Sequence, residues 1–132
     1  MLDCLIVGDS IAVGTHQFKP ECAVYAKGGI NSKQWVDKNI KNMPLQAKTV
    51  IISLGSNDHK YVKTESELQT IRQLTKADRV YWILPAIKPD IQDIVKKVAA
   101  QYGDTVLPIT RLQPDGIHPS WAGYKEIAKE TQ

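Results

Sequence analysis

Four short segments of the sequence carry side chains that could act together on an acyl bond: Gly8-Asp9-Ser10, Gly28-Gly29-Ile30-Asn31, Gly55-Ser56-Asn57-Asp58 and Asp115-Gly116-Ile117-His118. Serine alone is a weak nucleophile. It needs a histidine to take its proton, a carboxylate to fix that histidine's tautomer, and donors aimed at the oxygen that becomes negative. Ser10 is the candidate nucleophile and His118 the candidate base. Asp115 lies three residues before His118, so a single loop can turn its carboxylate onto the ring nitrogen that does not face Ser10. Three donors are available for the oxyanion: the Ser10 main-chain amide, a glycine amide of the second segment, and the Asn57 carboxamide.

These segments can meet only if the elements between them bring them to one edge. Apolar runs of strand length alternate with segments of helical period. Strands are expected at Leu2 to Val7, Cys22 to Ala26, Thr49 to Leu54, Arg79 to Leu84 and Thr105 to Ile109. The Thr49 to Leu54 run is apolar and β-branched almost throughout, as a strand covered on both faces would be, and should be central. Helices are expected from Asn31 or Ser32 to about Asn42, from a capping box at Thr64-Glu65-Ser66-Glu67, from Asp90 to a left-handed cap at Gly103, and from Pro119 or Ser120 onward. Five strands with helical crossovers imply one three-layer α/β domain over residues 1–132, with its ligand site beyond the carboxyl ends of the strands. All four segments fall at or just after such ends.

In this order the motifs resemble those of the SGNH, or GDSL-like, hydrolase family, whose blocks supply Ser, Gly, Asn and His. Gly8-Asp9-Ser10 with Ile11 to Gly14 resembles the first block, Gly55-Ser56-Asn57-Asp58 the third, and Asp115-Gly116-Ile117-His118-Pro119 the last. Adjacent Gly28 and Gly29 leave the oxyanion glycine open between them; Gly29, just before the helix, is preferred. The resemblance implies a five-stranded parallel sheet of flavodoxin-like order 2-1-3-4-5. It also implies hydrolysis of esters, often acyl groups on carbohydrates or lipids, through an acyl-Ser10 intermediate and without a cofactor.

Composition narrows the alternatives. With 132 residues, 42% hydrophobic and 23% charged, the chain is one ordinary globular core. Seventeen Lys and Arg against fourteen Asp and Glu leave +3, and the lysines are scattered along the sequence, so nucleic acid is not the expected partner. No apolar run has the ~20 residues of a membrane helix, and Met1-Leu2-Asp3-Cys4 lacks a basic signal start, so a protein cytoplasmic as synthesised and without membrane insertion is expected, with its final site of action, in the cytoplasm or after release by another path, left open. Cys4 and Cys22 read as buried thiols, with a structural disulfide as the lesser alternative, and no residue cluster has metal-ligand spacing. Asp58 is read as tying its loop to the first one, and Asp9 as orienting its own loop or acting on His118 through space. His16 and His59 are read as bystanders in exposed loops, and Trp35, Trp82 and Trp121 as core. Short connections at the active end encode no lid, which suits a small acyl group on a large polar scaffold, such as an acetylated polysaccharide or cell-wall glycan. Lipid esterase, thioesterase and acyltransferase chemistry remain open on the same residues, as does a catalytically idle carbohydrate-binding module. Oligomeric state is not legible.

Overall fold

The computed structural model describes all 132 residues. Strands β1 (Leu2–Gly8), β2 (Ala23–Ala26), β3 (Leu45–Ser53), β4 (Thr75–Leu84) and β5 (Thr105–Pro108) form one sheet. Between them run α1 (Ser10–Phe18), α2 (Ser32–Asn39) with a one-turn 3-10 extension (Ile40–Asn42), α3 (Thr64–Gln73) and α4 (Pro89–Tyr102), and α5 (Trp121–Glu130) closes the chain. All neighbouring strands are parallel and the order is β2-β1-β3-β4-β5, as the sequence implied.

Strand side chains alternate between two faces, and both faces are covered. Leu5, Val7, Val50, Ile52 and Trp82 point to one side and pack with Trp35, Leu68, Ile71, Val95 and Val98 of α2, α3 and α4. Ile6, Ile51 and Ile83 point to the other, against Ile11 and Ala12 of α1 and Tyr124 and Ile127 of α5. This double coverage makes β3 read as a continuous apolar run. No helix is long and apolar enough to cross a membrane.

Several expectations need correction. β3 and β4 begin earlier than expected, because Leu45 pairs with Thr75 and the exposed Gln46, Lys48, Lys76, Asp78 and Arg79 stretch is held by the ladder rather than by apolar burial. Thr64 does not cap α3: Lys63 occupies the cap without a side-chain bond, and the Thr64 hydroxyl donates to Asp58 instead. Helix α4 starts at Pro89, with Lys88 before it in a left-handed conformation (φ 64°). Asn31 caps α2 in a reciprocal box with Gln34, and Gly103 (φ 69°) ends α4 as expected. Cys4 and Cys22 are not thiols but a disulfide joining β1 to the residue before β2. Parallel pairing of Leu5 with Ala23 is what brings their α-carbons to 4.8 Å. Glu21 is the one further metal-ligating side chain beside these sulfurs.

Candidate active site

The Ser10 segment is shaped by a crowded junction. Gly8 (φ 137°) is where β1 leaves the sheet, and a Cβ there would fall 1.8 Å from the Ser53 carbonyl oxygen, so only glycine fits. Asp9 then caps α1: its Oδ1 accepts from the Ile11 amide at 3.0 Å and from the Ser53 hydroxyl at 3.0 Å. Its second oxygen, Oδ2, is buried without a partner. Burial pushes the Asp9 carboxyl up to about 6, against the lowering effect of those bonds. Ser10 is therefore the first residue of α1, with its own amide free at the helix start, where the dipole favours negative charge. Four residues on, Gly14 lets the Tyr124 ring pass; a Cβ would meet it at 2.3 Å.

His118 reaches Ser10 from the loop between β5 and α5. That loop is stapled by the Gln113 amide donating to the His118 carbonyl at 2.8 Å and by an antiparallel bridge between Leu112 and Pro119. Ser10 Oγ lies 2.8 Å from His118 Nε2. His118 Nδ1 lies 2.7 Å from Asp115 Oδ2. The other carboxylate oxygen, Oδ1, accepts from the Ile117 amide at 2.8 Å and the His118 amide at 3.0 Å. Those two amides, the His118 one foremost, and then the imidazole hold the Asp115 carboxyl down to about 2, although it is exposed. Ser10, His118 and Asp115 thus form one continuous chain of hydrogen bonds.

The remaining segments close on the same place. Asn57 Nδ2 donates to the Ile30 carbonyl at 3.0 Å, which links the third segment to the second and leaves the other amide hydrogen unused. Gly28 lies against Ser10, its Cβ direction 3.8 Å from Ser10 Cβ, whereas Gly29 (φ 78°) turns through open space. Neither glycine amide is bonded within the protein. The structure brings together Ser10, His118 and Asp115, sets Gly28 of the second loop against Ser10, and ties Asn57 to that loop through Ile30.

One positioning group was not legible beforehand. Lys88 Nζ donates to the carbonyls on either side of Asn57, to Ser56 at 2.7 Å and Asp58 at 2.8 Å. A positive φ at a non-glycine residue carries strain, so this clamp holds a conformation the chain would otherwise avoid. No spacing rule links residue 88 to a loop thirty residues earlier. Asp58 does not tie its loop to the first one. Its buried carboxylate accepts from the Ser32 amide and the Thr64 hydroxyl, both at 2.8 Å, and so joins the starts of α2 and α3. His16 sits on α1, not in a loop, with Nε2 3.0 Å from the Cys22 carbonyl. His59 is exposed, its Nδ1 accepting from the Tyr61 amide. Trp121 is 75% exposed, edge-on to Phe18 and beneath Lys125, and does not belong to the core.

No protein-family model and no curated protein sequence matches the chain. Solved structures do. A GDSL-like lipase from Bacteroides thetaiotaomicron superposes with a TM-score of 0.69 at 18% identity, over 96% of this chain and 84% of that one. The C-terminal catalytic domain of peptidoglycan O-acetyltransferase A from Streptococcus pneumoniae gives 0.59 at 18%, over 99% and 96%. The chain has the SGNH, or GDSL-like, hydrolase fold. An acetyl xylan esterase from Butyrivibrio proteoclasticus shares it at a TM-score of 0.57 and 13% identity, over 98% of this chain and 61% of that one. On this SGNH fold the principal cavities, 260 to 420 Å³, have neither Ser10 nor His118 in their walls. The surface beside Ser10 is open to solvent, the His118 and Asp115 side chains being 33% and 41% exposed. The connection from β4 to α4 is short, only Pro85 to Lys88.

Proposed function

We propose that this chain is a serine ester hydrolase of the SGNH type acting on short acyl esters, acetyl foremost, carried by a polysaccharide or cell-wall glycan. The observation that carries the reading is the unbroken series Ser10 Oγ, His118 Nε2, His118 Nδ1 and Asp115 Oδ2, with both links under 3 Å. In acylation, His118 takes the Ser10 proton as Oγ attacks the ester carbonyl, and then gives it to the departing alcohol. In deacylation, His118 takes a proton from water, hydroxide attacks the acyl-serine, and the proton returns to Ser10 Oγ as the acid leaves. The oxyanion of each tetrahedral intermediate rests on the Ser10 and Gly29 amides and the Asn57 carboxamide, with Gly28 keeping the second loop close. Asp115 stays ionised throughout and faces the imidazolium. No step calls for a metal or cofactor.

Open surface around Ser10 favours a small acyl group over a long chain that needs an apolar tunnel. The acetyl esterase and O-acetyltransferase among the structural neighbours are consistent with that class of ester. A disulfide between Cys4 and Cys22 favours work in an oxidising compartment, which modifies the cytoplasmic expectation. The test is a series of aryl esters from acetyl to long chain, with labelling by a serine-directed phosphonate and a Ser10→Ala control. Activity should peak from acetyl to butyryl and fall steeply beyond about eight carbons. Ser10→Ala should lose both labelling and turnover. Peak turnover on palmitoyl esters, or labelling that survives Ser10→Ala, overturns the reading.

A further inference from the structure

The lysines that look scattered in sequence are partly gathered by the fold. Along the outer edge of β2, a cavity of about 410 Å³ opens between the strand and α2 with its 3-10 extension. Its floor is the fully buried Trp35, whose indole N–H donates to the Tyr25 carbonyl at 2.9 Å. Lys27, Lys38 and Lys41 stand on its walls. A second cavity of about 400 Å³ shares Lys27, Ile30 and Lys38 with the first and continues to Gly28 and Gly29. Neither cavity has an acidic residue in its wall, and none of the three lysines is engaged in an ion pair. The nearby Asp37 is taken by Lys33 at 2.7 Å. The groove therefore ends at the loop that lies against Ser10, and three unpaired cations accompany it.

We propose that this groove holds a polyanionic glycan chain and lays its acyl esters beside Ser10. The inference rests on the esterase reading for what happens at Ser10, but not for what binds. Three ammonium groups with no neutralising carboxylate in the walls select a ligand with repeated negative charge. β2 is the edge strand, so its outer main-chain groups pair with no other strand, although the Tyr25 carbonyl is taken by the Trp35 indole. The half-exposed Tyr25 side chain adds apolar surface for a sugar face. Nucleic acid offers the charge but no acyl ester for Ser10. Uronate carboxylates and backbone phosphodiesters would satisfy the lysines equally, and both are sources of the same chemistry.

The experiment measures polymer binding by the full-length Ser10→Ala protein, so that no turnover is needed. The probes are polygalacturonate, a glycerol-phosphate polymer and a neutral mannan, by affinity electrophoresis at low and at moderate salt. At least one anionic polymer should retard the protein, the mannan should not, and added salt should weaken the retardation. Adding Lys38→Glu and Lys41→Glu, with the fold checked by circular dichroism, should weaken the anionic polymer roughly tenfold. In the otherwise native enzyme, the same two changes should raise KM on acetylated polygalacturonate relative to acetylated mannan by a similar factor. Equal retardation by mannan, unchanged binding after the double reversal, or tighter binding of single-stranded DNA than of either anionic glycan overturns the proposal. Binding that behaves as expected in a chain without aryl-ester turnover removes the esterase reading and keeps the groove; turnover without discrimination among polymers does the reverse.

Discussion

Asp9 and Asp115 flank the Ser10–His118 pair and are shifted in opposite directions, Asp9 upward by burial and Asp115 downward by main-chain amides. The buried Asp9 has one oxygen bonded and one orphaned, and its carboxyl rises to about 6. The exposed Asp115 gathers two amides and an imidazole, and its carboxyl falls to about 2. A carboxylate accepting oriented N–H donors is stabilised even in water, whereas a buried one with too few donors is not. The two sides of the site are held correspondingly. Ser10 sits in a nest of close approaches at Gly8, Gly14 and Ser53. His118 is carried by a surface loop that supplies its own carboxylate and staples itself.

The sharpest way to break this contrast is on the exposed side. Asp115→Asn removes the charge facing the imidazolium and offers His118 Nδ1 a donor in place of an acceptor, favouring the wrong tautomer. Turnover on an aryl acetate should fall by roughly a thousandfold or more, with the melting temperature little changed because the loop is exposed. Wild type should keep Asp115 ionised down to about pH 2, since a depressed folded-state value means the contribution is lost only as pH falls through it. Retention of most activity in Asp115→Asn would show that the loop alone orients His118. Next in size is Asn57→Ala on the nested side. Loss of one oxyanion donor should lower the turnover number about a hundred- to a thousandfold with little change in KM, because the bond strengthens only in the transition state. Equal loss in kcat and rise in KM would assign Asn57 to substrate binding instead. Lys88→Met should give a weaker version of the same kcat loss, about tenfold, by freeing the carbonyls that flank Asn57.

Local chemistry was legible where it is encoded by neighbours in sequence. Asp115 and His118 are three residues apart and bond directly, and the helix cap at Asn31 and the turn at Gly103 follow from residue type. The strand order followed from the motif resemblance, and the double burial of β3 from its unbroken apolar run. What escaped was set by distance in sequence. The disulfide depends on the parallel register of β1 and β2, which no cysteine spacing announces. Thr64 looked like a cap because its nearest use is a cap, yet its hydroxyl is spent on Asp58. Trp121 has helical spacing with Tyr124, but α5 turns it outward while Tyr124 fills the notch left by Gly14.

The smallest effect on rate and the clearest on stability belong to Asp9. Its folded-state value of about 6 lies above the 3.8 of an unburied aspartate, so between those values the native state binds more protons than the unfolded one. Stability from this group is therefore fully present below about pH 4 and is lost as pH rises through about 6. The two-unit difference corresponds to up to about 3 kcal/mol. Asp9→Asn removes the titration and keeps the bonds to Oδ1. The amide oxygen can still accept from Ile11 and Ser53, while the amide nitrogen brings two unpaired donors to the buried Oδ2 position, a cost that is the same at both pH values. Urea unfolding near pH 4.5 and near pH 7.5 should show the wild type losing stability across that interval and the variant losing less, the difference isolating Asp9 from groups that titrate in both. Turnover should change less than about tenfold, since Asp9 supports Ser10 through the start of α1 and not through a proton. An equal pH slope in the two proteins would mean that Asp9 is not held protonated by burial, and a loss of turnover as large as that of Asp115→Asn would move it from the scaffold of the site into its chemistry.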